Sequence, residues 1–336
     1  MPAFLQDYPL NSLNTFGVSA KASQYYEAKS LNELMNAVKL VPSNSPMLVL
    51  GGGSNILFTK DFNGTVIRPK ILGIEEIYSD NNFVTLSVGA GEDWDEFVGK
   101  TVEMGLGGLE NLSLIPGTVG ASPIQNIGAY GVEAKDCIEW VVGLNLETLE
   151  MDKYTNPECN FGYRDSIFKC ELKGKIIITH VCFKLAKNPA LKTHYGNLED
   201  ELKKLGEKSL KSVRQAVINI RNAKLPDPKE LGNAGSFFKN PVISVDLAKK
   251  LQNFYGTVPI YPVTEELVKL PAGWLIEKAG WKGKRIGKVG VHQHQALVLV
   301  NYGGAKGNDV LKLAKQIQDS VNEKFAIELE MEVNVI

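Results

Sequence analysis

Two hydrophobic periods alternate along this chain, and each change of period marks an element. Residues 25–28 read as a strand, and Ser30 with Glu33 three positions later forms a Ser-x-x-Glu capping box that opens a helix. Leu31, Leu34, Met35 and Val38 line one face of that helix, and Pro42 prevents its continuation. Residues 47–50 then predict a buried strand that runs into Gly51-Gly52-Gly53-Ser54-Asn55. Alternation over 83–89 predicts another strand. Trp94, Phe97, Val98 and Val102 share a face of a helix predicted over 93–104, which Gly105 ends. From 105 to 131 glycine recurs and no strong period persists, an irregular stretch of a length that is usually functional.

Beyond residue 210 the pattern turns to amphipathic helices, predicted over 213–222, 245–254 and 309–325, the last behind an Asn308 cap. A short strand over 296–301 separates the last two. The terminal residues alternate strictly, so that Leu329, Met331, Val333 and Val335 face one way and Glu330, Glu332 and Asn334 the other. Unaided, that second face reads as solvated. The overall reading is α+β, with a boundary near the Lys224-Leu225-Pro226-Asp227-Pro228 punctuation.

At 336 residues the chain exceeds the roughly 100–200 residues of one domain, so two or three packed units are expected. Apolar residues make up 44% and charged residues 22%, ordinary globular usage. A formal charge of -1 offers no field for a nucleic acid or an anionic membrane, which sets both aside as partners. Cys137, Cys159, Cys170 and Cys182 have no CxxC spacing and read as free buried thiols. Residues 1–8 lack a basic patch followed by an apolar run, and no segment reaches the ~18 apolar residues of a membrane span, so a cytoplasmic protein is expected.

Chemistry enters through a few segments. Glycines 51–53 would let backbone amides approach phosphate oxygens, or make a plain tight turn; they do not complete a dinucleotide fingerprint, because Ile56 stands where glycine or alanine is needed. The segment 112–131 is more specific, since its glycines permit close approach while Thr118, Ser122, Gln125 and Asn126 offer hydrogen bonds to a pyrophosphate or a heterocycle. Arg164, in the turn Gly162-Tyr163-Arg164-Asp165-Ser166, could clamp a carboxylate, although pairing with Asp165 is the simpler reading of that turn alone. Ser236 lies between glycines and two aromatics and is either a proton donor or a turn serine. His292 and His294 lack further ligands at sensible spacing, so no metal is predicted. Lys282, Lys284, Arg285 and Lys288 read as a solvated basic turn with diphosphate binding as the alternative.

Together, Asn14-Thr15-Phe16-Gly17, Gly51 to Asn55, Ile115 to Gly131, Tyr163 to Lys169, Gly232 to Pro241 and Leu329 to Val333 resemble the UDP-N-acetylenolpyruvoylglucosamine reductase family over nearly the whole chain. Their order and spacing make the resemblance specific. It implies an FAD-binding fold of the vanillyl-alcohol-oxidase type, with FAD lobes over 1–70 and 71–220. A substrate-binding domain over 221–336 would follow, its last strand returning to the active site. It also implies non-covalent FAD, NADPH as reductant and a UDP-sugar as substrate. In this family the catalytic residues correspond to Arg164, Ser236 and Glu332. The resemblance assigns cofactor contacts to Gly51, Gly52, Gly53, Ser54, Asn55, Pro116, Gly117, Thr118, Gly120, Ser122, Asn126 and Gly128, and substrate contacts to Tyr163, Tyr195, Lys224, Asn240 and Gln295. His194-Tyr195-Gly196-Asn197 is similar to the family form that carries an extra tyrosine loop, and a monomer is expected.

Two rivals remain at this point. An oxidase of the same fold would act on an alcohol or sugar; the covalent flavin common there needs an early histidine or cysteine, and the first are His180 and Cys137. A UDP-sugar sensor without chemistry would not need Arg164, Ser236 and Glu332 together.

Overall fold

Ser30 opens the first helix as its hydroxyl dictates, accepting the Glu33 N–H at 3.2 Å. The Glu33 carboxylate closes the box one residue further back than expected, on the Lys29 N–H at 2.8 Å. In the computed structural model, which describes residues 2–336, the chain forms two units. The first takes the chain up to Tyr8 together with Ala22–Gly53 and Phe62–Ala223; the second takes Pro9–Lys21, Ser54–Asp61 and Lys224–Ile336.

The first unit holds two sheets. Strands β1 (Leu5–Pro9), β2 (Lys21–Ala28), β3 (Met47–Val49) and β4 (Phe62–Pro69) form one in the order β1-β2-β4-β3, with β2 and β3 both parallel to β4. Helix α1 (Leu31–Leu40) supplies the β2-to-β3 crossover that a parallel pair requires, and buries Leu34, Ala37 and Val38 against Ala28 and Ile67. The second sheet is antiparallel, built from β5 (Ile74–Ser79), β6 (Phe83–Gly89), β7 (Ile138–Asn145), β8 (Met151–Thr155) and β9 (Ile176–Ala186) in the order β8-β7-β9-β6-β5.

Helix α2 (Trp94–Glu103) covers that sheet, and its predicted apolar face is the one buried. The rings of Trp94, Phe97 and Phe183 meet at centroid distances of 5.1 to 6.1 Å. Full burial of each such side chain is worth roughly 1.5–3 kcal/mol. Helices α3 (Leu198–Leu205) and α4 (Leu210–Lys224) close a small cluster of Leu198, Leu202, Val213, Val217 and Ile220.

The second unit contains β10 (Gly232–Ser236), β11 (Val242–Ser244), α5 (Val245–Tyr255), β12 (Tyr261–Pro262), β13 (Leu267–Lys269) and α6 (Ala272–Lys278). It continues with β14 (Arg285–Ile286), β15 (Val289–Val291), β16 (Val298–Asn301) and α7 (Gly307–Phe325). The main sheet runs β10-β16-β15-β14, and α7 buries Val310, Leu313, Ala314, Ile317 and Val321.

Three expectations differ from what forms. Asn308 does not cap α7: Lys306 is the N-cap, Asp309 accepts its N–H at 2.9 Å, and Asn308 in the first turn donates to the Thr59 carbonyl at 3.2 Å. The terminal segment is regular strand only at Asn334–Val335, which pairs with Ile56–Leu57, because residues 330–332 bond instead to the chain after β10. Cys170 is exposed, whereas Cys137, Cys159 and Cys182 are buried, and all four are free. No helix among the described residues is long and apolar enough to cross a membrane.

Candidate functional site

The glycine turn after β3 packs backbone to backbone against the irregular segment. A Cβ on Gly52 would lie 2.9 Å from Gly117 Cα, so that position must be glycine for the two backbones to meet, whereas one on Gly51 would lie 2.8 Å from Thr118 Oγ1 and would turn that side chain away. Gly53 turns the chain at φ +65°. The partner loop hangs on the start of α2: Trp94 N–H donates to Gly117 O at 3.1 Å, Val119 N–H donates to Glu92 O at 2.9 Å, and Thr118 pairs with Asp93. Two abutting glycine loops concentrate backbone N–H groups where no Cβ intervenes, a donor set that fits the pyrophosphate of a dinucleotide such as FAD.

Side chains further along this segment are committed to the protein. Ser122 is buried, and its hydroxyl donates to Val119 O at 2.7 Å. The buried Asn126 donates to Glu133 Oε2 and to Gly162 O, each at 3.0 Å, and accepts the Lys135 N–H at 3.0 Å. These two therefore shape the loop, and what they offer a cofactor comes from their backbone and position.

Arg164 sits at φ +55°, a left-handed conformation costly for a side chain with a Cβ. Its Nη2 donates to Gly128 O at 2.7 Å and its Nη1 to Asn126 O at 3.4 Å, while Lys169 Nζ donates to the Arg164 carbonyl at 2.9 Å. Asp165 accepts its neighbour Ser166 N–H at 3.0 Å and the Cys170 thiol. Ser166 Oγ anchors the turn to Ile124 O at 2.6 Å. The guanidinium, the Tyr163 ring 5.4 Å from it, and the 126–128 backbone thus form one cluster.

A second cluster carries Tyr195. Its half-exposed ring stands edge-on to Tyr130 with centroids 6.3 Å apart. Below them the fully buried Asn111 donates through Nδ2 to Tyr130 O at 3.0 Å and to Lys192 O at 2.8 Å, tying both tyrosine segments to one amide. Tyr130 is itself left-handed, at φ +49°. Burial raises its pKa, against the opposing charge of Arg221.

In the second unit, Ser236 ends β10. The next residues pair with the terminal segment: Lys239 N–H donates to Glu330 O at 2.9 Å and Glu332 N–H donates to Phe237 O at 2.8 Å. Asn55 Nδ2 donates to the Glu332 carbonyl at 3.2 Å, so Ser236, Glu332 and Asn55 share one neighbourhood. Lys239 Nζ forms an ion pair with Glu330 at 2.5 Å. The Asn14 motif supports this strand from behind: Asn14 folds its own turn by bonding Leu10 O, Val18 O and Val18 N, and Thr15 O accepts the Asn233 N–H at 3.0 Å.

Asn240 and Gln295 meet at the start of α6. Asn240 Oδ1 accepts the Ala272 N–H at 2.9 Å, and Gln295 Oε1 accepts the Leu297 N–H at 3.3 Å close against Gly273. Each spends its oxygen on the backbone, so its amide is the end that can donate. Lys224 ends α4, and Ser54 belongs to this unit with Asn55. The basic residues 282–288 are occupied locally: Lys282 pairs with Glu277 at 2.9 Å, Lys284 and Arg285 lie over Trp281 and Tyr302, and Lys288 donates to Gly304 O at 3.0 Å. His292 is buried against His294, and no group of three metal-ligating side chains occurs among the described residues.

A surface groove of about 570 Å³ lined by Ile74, Glu76, Leu86, Lys100, Glu103 and Met104 contains none of the expected site residues. Conversely, Asn111, Tyr130 and Arg221 support the tyrosine cluster, Asp95 accepts the Leu114 N–H just before the Ile115-Pro116-Gly117-Thr118 turn, and none was singled out from the sequence. Only the length of the irregular segment 105–131 signalled two of them; the others lie on ordinary amphipathic helices.

The sequence matches a family model for the C-terminal domain of UDP-N-acetylenolpyruvoylglucosamine reductase over residues 227–336, and one for an FAD binding domain over 22–148. The UDP-N-acetylenolpyruvoylglucosamine reductases of Flavobacterium johnsoniae and Amoebophilus asiaticus are each 50% identical to it, over 333 and 336 residues, covering 98% of this chain and 98% of theirs. That of Bacteroides fragilis is 46% identical over 331 residues, 98% of this chain and 99% of its own. The crystal structure of the Thermus caldophilus reductase aligns with a TM-score of 0.68 at 26% identity, covering 100% of this chain and 98% of that one.

Proposed function

Because the chain belongs to the UDP-N-acetylenolpyruvoylglucosamine reductase family, we propose a division of labour among its residues for that family's reaction. The enzyme reduces UDP-N-acetylglucosamine enolpyruvate to UDP-N-acetylmuramate for peptidoglycan synthesis, with FAD as cofactor and NADPH as reductant. Its fold is the FAD-binding fold of the vanillyl-alcohol-oxidase type followed by the family's C-terminal domain. Residues 1–70 and 71–220 are assigned as FAD lobes and 221–336 as the substrate domain.

When bound, FAD would supply the hydride-transfer chemistry between NADPH and the enolpyruvyl carbon distal to the carboxylate. The chain's own residues do the rest. Gly51, Gly52, Gly53 and the Pro116-Gly117-Thr118 turn hold the pyrophosphate, with Gly120, Ser122, Asn126 and Gly128 shaping the same loop. Ser54 and Asn55 extend the contact. Adding hydride to an enol ether conjugated with a carboxylate builds negative charge on that carboxylate. Arg164 stabilises it by charge; the bonds from its guanidinium to the 126–128 carbonyls support that role by fixing its direction. Glu332 contributes as the neutral acid, because an ionised carboxylate would repel the developing charge. Ser236 delivers the proton to the carbon bearing the carboxylate.

The observation that carries this reading is the pairing of Glu332 with Phe237, which sets the two proposed acid groups one peptide apart in register. Tyr195 is assigned to cover the UDP-sugar, as in the family form with a tyrosine loop. Tyr163, Lys224, Asn240 and Gln295 are assigned to the sugar, diphosphate and uridine. We place the reaction in the cytoplasm and the enzyme as a monomer; four unpaired thiols support a reducing compartment.

Anaerobic stopped-flow absorbance tests the reading. NADPH should bleach the flavin, and UDP-N-acetylglucosamine enolpyruvate should restore its colour with formation of UDP-N-acetylmuramate. Reduced flavin that persists until air is admitted would overturn it.

A further inference from the structure

Leu114 immediately precedes the Ile115-Pro116-Gly117-Thr118 turn and has φ +58°. Leucine disfavours that conformation, since its Cβ crowds the following carbonyl. Its N–H and its C=O are each held by a charged side chain from elsewhere in the first unit. Its N–H donates to Asp95 Oδ1 at 2.5 Å, and its carbonyl accepts Arg221 Nε at 3.2 Å. Asp95 is fixed in turn by Arg214, whose two terminal nitrogens reach its two oxygens at 2.6 and 3.1 Å.

That bidentate geometry leaves Asp95 little rotational freedom. Asp95 stands in the first turn of α2, where a carboxylate is favoured by the helix dipole. Arg214 and Arg221 stand on α4, two turns apart. The residues around Leu114 are docked on α2 as well, since Trp94 Nε1 donates to Leu112 O at 2.9 Å and Trp94 N to Gly117 O at 3.1 Å. Burial lowers the pKa of the Arg221 guanidinium, with Tyr130 and Asp95 acting against that shift. A desolvated cation is costly unless it is paired or hydrogen-bonded, and Arg221 meets part of that need with its Nε bond to the Leu114 carbonyl.

We propose that Asp95, Arg214 and Arg221 are positioning residues that clamp Leu114 in its left-handed conformation and so preset the 115–118 turn for FAD. The clamp touches no phosphate; it acts through the backbone it holds. Without it, Leu114 relaxes to negative φ, the chain leaves the glycine turn at a different angle, and binding FAD must restore the geometry at the expense of affinity. The inference rests on the reading of residues 116–118 as part of the FAD cradle.

FAD is removed from the full-length protein and its rebinding titrated by flavin fluorescence, for the wild type, Asp95→Ala, Leu114→Gly and the double variant. Asp95→Ala should weaken FAD binding by ~10-fold or more, the scale of one released backbone strain. Leu114→Gly in the Asp95→Ala background should restore affinity to within ~3-fold of Leu114→Gly alone, because glycine adopts positive φ unaided. A general loss of stability would lower the melting temperature but would not be rescued by that glycine.

Unchanged affinity in Asp95→Ala, or no rescue, overturns the clamp. Gly52→Ala separates this from failure of the underlying reading: if it too leaves FAD affinity unchanged, the loops are not the cradle, and if it alone weakens binding, only the clamp is wrong. Should Asp95→Ala not be recovered folded, Arg214→Gln with and without Leu114→Gly decides by the same criterion.

Discussion

Glu332 donates its backbone N–H to the carbonyl of Phe237 at 2.8 Å, which places it one register step from Ser236. Phe237 and Phe238 are both fully buried, so the backbone that carries the two proposed functional residues is anchored by apolar packing. Replacing their side chains should leave the backbone pairing and the flavin loops intact. Ser236→Ala is expected to lower kcat by ~10²-fold or more, the scale of general-acid loss, with FAD retained at full stoichiometry. Glu332→Gln, which keeps a neutral hydrogen-bond donor, should lose less than Glu332→Ala. Single-turnover reoxidation of the reduced enzyme reads both, and equal losses in the two Glu332 variants would remove the neutral-acid role.

Asn111 joins the segment of Tyr130 to that of Tyr195 through one amide, and each carbonyl it holds is otherwise remote in sequence. Tyr195 is half-exposed, and on its proposed role of offering one aromatic face to the UDP-sugar, Tyr195→Ala should raise KM for that substrate by ~10-fold while kcat changes little. Asn111→Ala should raise the same KM by loosening the loop. In the double variant the two effects should fall short of adding, as coupled residues do. Steady-state kinetics of the four proteins checks this; full additivity would show that Asn111 acts elsewhere.

Burial raises the thiol pKa of Cys137 and of Cys159 to about 12 each, and raises that of Cys182 as well. Cys170 is exposed, but its hydrogen bond to Asp165 also raises its pKa. Since the thiolate is the reactive form, the native protein at ~pH 8 should release colour from Ellman's reagent for one thiol, slowly, and for four only after denaturation. Cys170→Ser should abolish the native reaction. Rapid titration of two or more thiols in the folded enzyme would contradict the burial pattern.

What the sequence revealed depended on how local each cause is. The face of α2 was legible because Trp94, Phe97, Val98 and Val102 repeat at helical spacing, and β6 because alternation spans its whole length. The glycine loops were legible as candidates, yet their mutual packing was not: Gly52 needs Gly117, 65 positions away. Leu114 is harder still. Nothing about a leucine announces positive φ, and the groups that hold it stand 19 and 107 residues distant. The same limit explains the terminal segment, whose alternation alone read as one solvated face although its partner, the chain after Ser236, decides the hydrogen bonding of residues 330–332. Asn308 misled for the opposite reason. It is a good capping residue, but Lys306 and Asp309 close the turn first, and Thr59 takes its amide.

His292 tests the electrostatics of the second unit. The ring is buried, its Nδ1 finds no partner among the described residues, and burial followed by the neighbouring His294 pushes its pKa below the ordinary histidine value of 6.5. Between the folded and unfolded values the unfolded chain binds more protons, so stability must rise with pH there. The contribution is complete above the unfolded value and is lost as pH falls through the folded one. Melting temperature should therefore drop between ~pH 7.5 and ~pH 5.5, and His292→Asn should shrink that drop by ~2 °C or more. Because His180, His194 and His294 remain in both proteins, the difference reports His292 together with its coupling to His294. If the two proteins lose the same melting temperature over this range, His292 is not the group that titrates.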